Sequence, residues 1–124
     1  MQLEFLEQGA DECPLIRVFG CDPDSCKRLK GLFEQLSIGE AGPTRIDGLP
    51  GMQSISDCRL VASSGRQDQG VSRHGDVFVW SLTPGSWDNV AGLLEPFCRP
   101  GRAGFQWLDR LGEVNVLISR DGFW

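Results

Sequence analysis

The sequence predicts an α+β protein, a two-layer α/β sandwich in which two helices pack on one face of a largely antiparallel sheet of six or seven strands. Two observations lead to this prediction. Apolar residues alternate in several short segments, as in strands, and recur at steps of three and four in two others, as in helices. In addition, VFGCDPDSCKRLKGLFEQL at 18–36 shares six of its nineteen residues with VWSLTPGSWDNVAGLLEPF at 79–97. We therefore expect an internal duplication of a ββα unit, with pseudo-repeat halves at approximately 1–50 and 56–124.

The first predicted helix has both a start signal and an apolar face. Five apolar residues between Cys26 and Leu36 recur at helical spacing. Asp22 or Asp24 can cap its first turn, and Pro23 suits the first helical position. These features predict an amphipathic helix that packs its apolar side on the sheet.

The second predicted helix is built in the same way. Ser86 is the expected N-cap, Trp87 begins the apolar face, and Pro96 limits continuation. Each helix also has a glycine, Gly31 or Gly92, nearly opposite the centre of its apolar face. Such a glycine costs roughly 1 kcal/mol relative to alanine. It is either tolerated in a short helix or required by the close approach of another backbone.

Strand patterning occurs in three pairs of segments. The first pair is expected to form a hairpin before helix one, the second pair precedes helix two, and the third forms a C-terminal hairpin. The segments are LEFLE (3–7) and PLIRVFG (14–20), DCRLVAS (57–63) and DVFVWSL (76–82), and GFQWLD (104–109) and VNVLIS (114–119).

Length and charge limit the classes of protein and partner. The chain has 124 residues, a mass of 13.7 kDa and 40% hydrophobic residues, so residues 1–124 are expected to form one domain. A net charge of −5 argues against nucleic acid and anionic membranes as partners. No apolar run approaches a membrane span, and the N-terminal segment carries acids where a secretory signal has basic residues. We expect a cytoplasmic protein.

The five cysteines are odd in number and irregularly spaced, which is typical of reduced thiols. Cys21 and Cys26 form a C-x4-C pair, but zinc normally needs four ligands and no second pair occurs. We therefore predict neither a metal nor a cofactor. If the two thiols meet, they form a local disulfide or redox pair. Otherwise Cys26 is a packed thiol on the apolar face of its helix.

The first candidate site is the connection SSGRQDQGVSRHGD at 63–76, which is polar and too long for a routine hairpin. It contains the predicted ligand- or partner-binding residues Arg66, Asp68, Arg73 and His74. The two arginines and the histidine could receive an anion, helped by backbone N–H groups of glycine-rich turns.

A catalytic role for this connection is a weaker hypothesis. His74 could act as the base for a Cys58 nucleophile, or less plausibly Cys98, with Asp76 orienting the imidazole ring. No nucleophile signature surrounds either cysteine. A solvent-exposed loop histidine is the alternative interpretation.

The second candidate site is the C-terminal end, FQWLDRLGEVNVLISRDGFW, which closes on Phe123 and Trp124. Two aromatic residues at a terminus either cap the core or form an exposed anchor for a partner. This ending resembles that of small bacterial proteins that close with QWL, a short turn and LLxSxxGxW, supported by CPLIRVFG (13–20) and SWDNVAGLLEPF (86–97). The resemblance implies a small stand-alone protein and carries over no activity.

Two functional hypotheses follow. The first is a non-enzymatic protein-binding module, immunity-like or an adaptor, whose acidic surface favours a basic protein partner. The second is a small enzyme or ligand-binding protein with a pocket beside the 63–76 segment. Homodimerisation through a free sheet edge is compatible with either.

Overall fold

The computed structural model describes residues 1–101 and 104–124, and it has an α+β architecture with two helices and two mixed sheets. The strands are β1 (Gln2–Leu6), β2 (Leu15–Phe19), β3 (Thr44–Arg45), β4 (Gln53–Ser54), β5 (Arg59–Ser64), β6 (Gly70–His74), β7 (Val77–Leu82), β8 (Phe105–Asp109) and β9 (Asn115–Ser119). The helices are α1 (Pro23–Ser37) and α2 (Pro84–Leu94), and short 3₁₀ turns cover Ile46–Gly48 and Glu95–Cys98.

The strands divide between two sheets. The first sheet has the order β4-β1-β2-β9-β8 and the second the order β3-β5-β7-β6. Each contains an antiparallel hairpin, β1-β2 or β6-β7, whose second strand pairs in parallel with β9 or β5. The structure thus differs from the predicted single, largely antiparallel sheet of six or seven strands. The reason is that each helix carries the chain from one sheet to the other.

The sequence predicts one long loop at 63–76, but residues Gly70–His74 of this segment form β6, so the loop is shorter. β6 turns at Gly75 and pairs antiparallel with β7, whereas β5 and β7 are parallel neighbours. The segments predicted as strands at 57–63 and 76–82 therefore do form strands, and they pair in parallel within a sheet that was predicted to be largely antiparallel. A single bridge between Val71 and Val114 joins β6 to the segment before β9 and so connects the two sheets.

Both helices begin at the proline that the sequence places in the first turn. In α1 the side chain of Asp22 accepts a hydrogen bond from the Ser25 backbone N–H at 2.8 Å, as an N-cap does. In α2 the cap is Thr83, whose hydroxyl accepts from the Ser86 N–H at 3.4 Å. The predicted cap Ser86 therefore lies inside the first turn.

Three aromatic rings form the centre of the core. Phe33 of α1 stacks on Trp87 of α2 with centroids 5.0 Å apart, and Trp80 of β7 meets both rings edge-on. Each indole N–H has a partner: Trp87 donates to the Ser63 carbonyl at 3.1 Å, and Trp80 to the Asp109 carboxylate at 2.7 Å. The cluster therefore ties the two helices to the second sheet and to the end of β8.

Two backbones approach each other closely at Gly70 and Gly112, and not at the helical glycines Gly31 and Gly92 for which the sequence suggested it. A Cβ atom added to Gly31 or Gly92 would meet nothing within 4 Å. In contrast, Gly70 has a φ of +72°, and a Cβ there would overlap the backbone of Gly112. The backbone contact between β6 and the β8-β9 turn thus requires glycine, whereas Gly31 and Gly92 do not separate packed backbones within the chain.

Within the described residues, none of the helices is both long and apolar enough to cross a membrane.

Candidate functional site

Asp68, a predicted binding residue, is hydrogen-bonded to the start of α2. Its Oδ1 accepts from the backbone N–H and the hydroxyl of Thr83, at 2.8 and 2.9 Å. Its Oδ2 accepts from the Ser86 hydroxyl at 2.8 Å. These hydrogen bonds lower the pKa of the Asp68 carboxyl. The carboxylate therefore extends the N-terminal cap of α2 and also benefits from the positive end of the helix dipole.

We expect Asp68→Ala to lower the melting temperature at pH 7. Because folding lowers the pKa of this carboxyl, its contribution is fully present above the unfolded-state pKa and is lost as the pH falls through the folded-state pKa. Calorimetry should therefore show a difference between wild type and variant that is largest near neutral pH and shrinks under acid conditions. The control is Asp76→Ala, since Asp76 lies in an exposed turn without a hydrogen bond to its carboxylate in the described structure. Equal effects of both substitutions would contradict this role.

Arg73 and His74 project from opposite faces of β6, because neighbouring side chains in a strand alternate. The Arg73 guanidinium lies 5.4 and 5.2 Å from the ring centroids of Phe5 and Phe78, a cation–π arrangement. His74 is exposed, and its Nε2 lies 2.9 Å from the Ser72 hydroxyl. Arg66 is exposed in the preceding loop. The structure does not aim Arg73 and His74 at one anion.

The structure also fails to bring Cys58 and His74 together. In the sheet register, Arg59 of β5 lies opposite Val77 of β7, which lies opposite His74, so a whole strand separates the histidine from β5. Cys58 is buried, and this burial raises its pKa to about 11. A buried, protonated thiol and an exposed histidine on a non-adjacent strand do not form a nucleophile–base pair.

The cysteines of the C-x4-C pair have separate partners. The Cys21 thiol donates to the Ser119 carbonyl at 3.3 Å, while the Cys26 sulfur lies 3.1 Å from the sulfur of Cys98. Cys26 is buried on the apolar face of α1, as expected for a packed thiol. Across the described parts of the chain, no group of three or more potential side-chain ligands is arranged to hold a metal ion.

The C-terminal tail is fixed to the outer face of the first sheet. The buried hydroxyl of Ser119 donates to the Phe123 carbonyl at 2.7 Å and accepts from the Gly122 N–H at 2.9 Å. Arg17 of β2 donates to the Gly122 carbonyl at 2.8 Å, and the Asp121 carboxylate accepts from the Phe123 N–H at 3.1 Å. Four hydrogen bonds therefore order a segment of five residues.

Arg17 is itself held in place. Its guanidinium forms a salt bridge with Glu4 of β1 at 2.6 Å and lies 4.1 Å from the ring centroid of Phe19. The alternation of β2 places Arg17 on the outer face, while Ile16 and Val18 face the core. Arg17, held in place by Glu4 and Phe19, thus positions the tail on the outer face of the first sheet.

The rings at the end of this tail face solvent. The exposed fractions are 77% for Phe123 and 36% for Trp124. Phe105 of β8 lies opposite Ser119 in the register, so it shares the outer face, and it is 48% exposed. A cavity of about 380 Å³ separates the tail from the β1-β2 loop at Ala10 and Glu12. We call Phe123 and Trp124 the C-terminal aromatic surface.

The two terminal aromatic residues could be identified from the sequence, but the residues that hold their backbone, Arg17 and Ser119, were not predicted. Arg17 stands between apolar residues in LIRVF, a pattern that places it on the face opposite the core. Ser119 precedes an Arg-Asp-Gly turn, where a hydroxyl commonly bonds the following backbone. Both signals are local and could have indicated a supported tail.

Comparisons of the chain with models of known protein families, with curated proteins and with solved structures found no match.

Proposed function

We propose that this protein is a non-enzymatic protein-binding module that engages its partner through the C-terminal aromatic surface. The observation that carries the proposal is the combination of two features in one segment. The tail backbone is hydrogen-bonded to Ser119 and Arg17, while the side chain of Phe123 is 77% exposed. A terminal segment normally frays unless it is held in place.

An ordered tail with exposed rings favours binding for an entropic reason. Because the backbone is already fixed, a partner does not bear the entropic cost of ordering it. Aromatic and arginine side chains are also the residue types that most often dominate the energy of protein interfaces. The rings of Phe123 and Trp124 would then insert into a pocket of the partner.

The charges around the surface favour a basic partner. The chain carries a net charge of −5, and the positive charge of Arg17 is neutralised by Glu4. Glu12 lines the cavity beside the tail, and the Asp121 carboxylate lies in the tail itself, where it accepts from the Phe123 N–H. A small acidic protein of this kind, with five free cysteines, fits an immunity-like or adaptor role in the cytoplasm.

Capture from a lysate of the source organism, with quantitative mass spectrometry, tests this proposal. The variant is Phe123→Ala with Trp124→Ala, and the matched control is Ile38→Ala, which removes a 66% exposed apolar side chain after α1. We expect a specific protein to be enriched by wild type and by Ile38→Ala, and about tenfold less by the double variant. Thermal unfolding of all three proteins verifies the fold.

Equal capture of the same proteins by all three chains would show that the tail is not the binding surface. Capture of no specific protein would count against the module itself.

The alternative, a small enzyme or ligand-binding protein, rests on a cavity of about 360 Å³ at the end of the 63–76 segment. Arg73, Phe5 and Glu113 are among its lining residues, which gives it both apolar and charged walls. Native mass spectrometry separates the two functions. A bare chain or a homodimer agrees with the binding module, whereas a small molecule released on mild denaturation would favour the alternative.

We also infer that the chain arose by duplication of a ββαββ unit, longer than the ββα unit predicted above. One copy would be β1-β2-α1-β3-β5 and the other β6-β7-α2-β8-β9. In both, the first two strands pair antiparallel in one sheet and the last two pair antiparallel in the other. The offset of 61 residues relates Pro23 to Pro84 and Thr44 to Phe105, the first residues of corresponding elements.

A further inference from the structure

Two thiols from distant parts of the chain meet inside the protein. Cys26 lies in the second turn of α1, and Cys98 ends the 3₁₀ turn that follows α2. The Cys98 thiol donates a hydrogen bond to the Cys26 sulfur at 3.1 Å, across a separation of 72 residues. A disulfide has an S–S distance of about 2.05 Å, so bond formation needs a movement of only about 1 Å.

The turn that carries Cys98 is held against the rest of the chain by Arg120. One guanidinium nitrogen donates to the Arg99 carbonyl at 2.9 Å, and another donates to the Pro96 carbonyl at 2.8 Å. Cys26 is fixed by its position in a regular helix. The two sulfur atoms are therefore kept near each other by the fold rather than by a mobile segment.

Both cysteines are buried, with exposed fractions of 4% for Cys98 and 0% for Cys26, but Cys98 lies at the edge of a surface cavity. A surface cavity of about 510 Å³ lies between α1 and the 3₁₀ turn, and Cys98 forms part of its wall together with Lys27 and Arg99. Cys26 is fully buried behind it. A small oxidant that enters this cavity therefore reaches Cys98 before Cys26.

We propose that Cys26 and Cys98 form a reversible disulfide when the protein encounters a peroxide. The Cys98 sulfur, having lost its proton, attacks one peroxide oxygen. The O–O bond breaks, and the leaving hydroxide takes up a proton to give water, while Cys98 becomes a sulfenic acid. The Cys26 sulfur then displaces the hydroxyl group from Cys98, the S–S bond forms, and the Cys26 proton leaves with the hydroxyl as a second water. Two electrons pass from the thiols to the peroxide.

The environment of Cys26 agrees with this order of events. Burial raises the pKa of the Cys26 thiol far above its usual range. Since the thiolate is the reactive form and Cys26 is buried behind Cys98, Cys26 is a poor first nucleophile, and the first step falls to Cys98. The product would link α1 covalently to the segment after α2, and a dithiol reductant would reverse the link.

The test uses the full reduced chain treated with hydrogen peroxide, with the intact mass measured directly and the remaining free thiols alkylated only before peptide mapping. We expect the intact mass to fall by two hydrogens, peptide mapping to show Cys26 joined to Cys98, and reductant to restore the mass. Cys98→Ser should abolish the loss, whereas the control variants Cys13→Ser and Cys21→Ser should retain it. The oxidised protein should also unfold at a higher urea concentration than the reduced protein.

The proposal is overturned by a disulfide at any other pair, by conversion of Cys98 to sulfinic acid with Cys26 free, or by an unchanged mass in excess peroxide. Because mapping is done on the wild-type chain, none of these outcomes depends on a variant folding.

Discussion

Trp87→Ala is expected to lower the free energy of unfolding by about 4 kcal/mol, within the range measured for removal of large buried aromatic side chains. Trp87 is fully buried, stacks on Phe33 and meets Trp80 edge-on. The substitution leaves a cavity between the two helices and also leaves the Ser63 carbonyl without the indole donor. Urea denaturation followed by circular dichroism measures the change.

The matched control is Trp124→Ala, which removes the same side chain from the C-terminal aromatic surface. We expect it to change the free energy of unfolding by about 1 kcal/mol or less, because the indole is 36% exposed and lies outside the central cluster. A loss at Trp124 comparable to that at Trp87 would mean that the tail caps the core, and would contradict the interpretation of the tail as a free surface.

Gly70→Ala is expected to lower the free energy of unfolding by roughly 2 to 5 kcal/mol, from a strained left-handed backbone together with steric overlap. The φ of Gly70 is +72°, and the added Cβ would overlap the backbone of Gly112. Gly112→Ala should be similarly destabilising, since its Cβ would lie 2.6 Å from the Val71 nitrogen. The same urea titration measures both.

Gly92→Ala is the control for this pair. It introduces the same methyl group into an exposed helical position with nothing within 4 Å, so it should raise the free energy of unfolding by about 0.5 to 1 kcal/mol. If Gly70→Ala were as well tolerated as Gly92→Ala, the described approach of β6 to the β8-β9 turn would be wrong.

The sequence was informative about the helices because their determinants are local. The proline at each first turn and the apolar spacing of residues such as Leu29 and Leu32 specify a helix within one segment. The observed cap of α2, Thr83, lies three residues before the predicted cap, Ser86. Both are good capping residues, and only the position of Pro84 in the first turn distinguishes them.

The sheets were less predictable because their pairings are not local. β2 pairs in parallel with β9, which is about 100 residues away, and no pattern within either strand specifies that partner. β6 was missed because GVSRH has a single apolar residue, Val71, whose burial depends on its bridge to Val114. Tertiary context therefore decided what the local pattern left open.

The candidate site was predicted in part. The terminal rings of Phe123 and Trp124 could be identified from their unusual position alone, but their support by Arg17 depends on the β1-β2-β9 arrangement. The polar 63–76 segment suggested a site because it is rich in charges. Asp68 instead caps α2, and Arg73 lies over the rings of Phe5 and Phe78. Both roles depend on contacts that form only in the folded chain.

The affinity of the captured partner measures whether the C-terminal aromatic surface binds a protein. Isothermal titration calorimetry would compare wild type with the Phe123→Ala, Trp124→Ala double variant and with Ile38→Ala. We expect the double variant to weaken binding, raising Kd by about tenfold or more, equivalent to about 1.4 kcal/mol, while Ile38→Ala leaves Kd unchanged. An unchanged Kd for the folded double variant would show that the rings of Phe123 and Trp124 do not bind the partner.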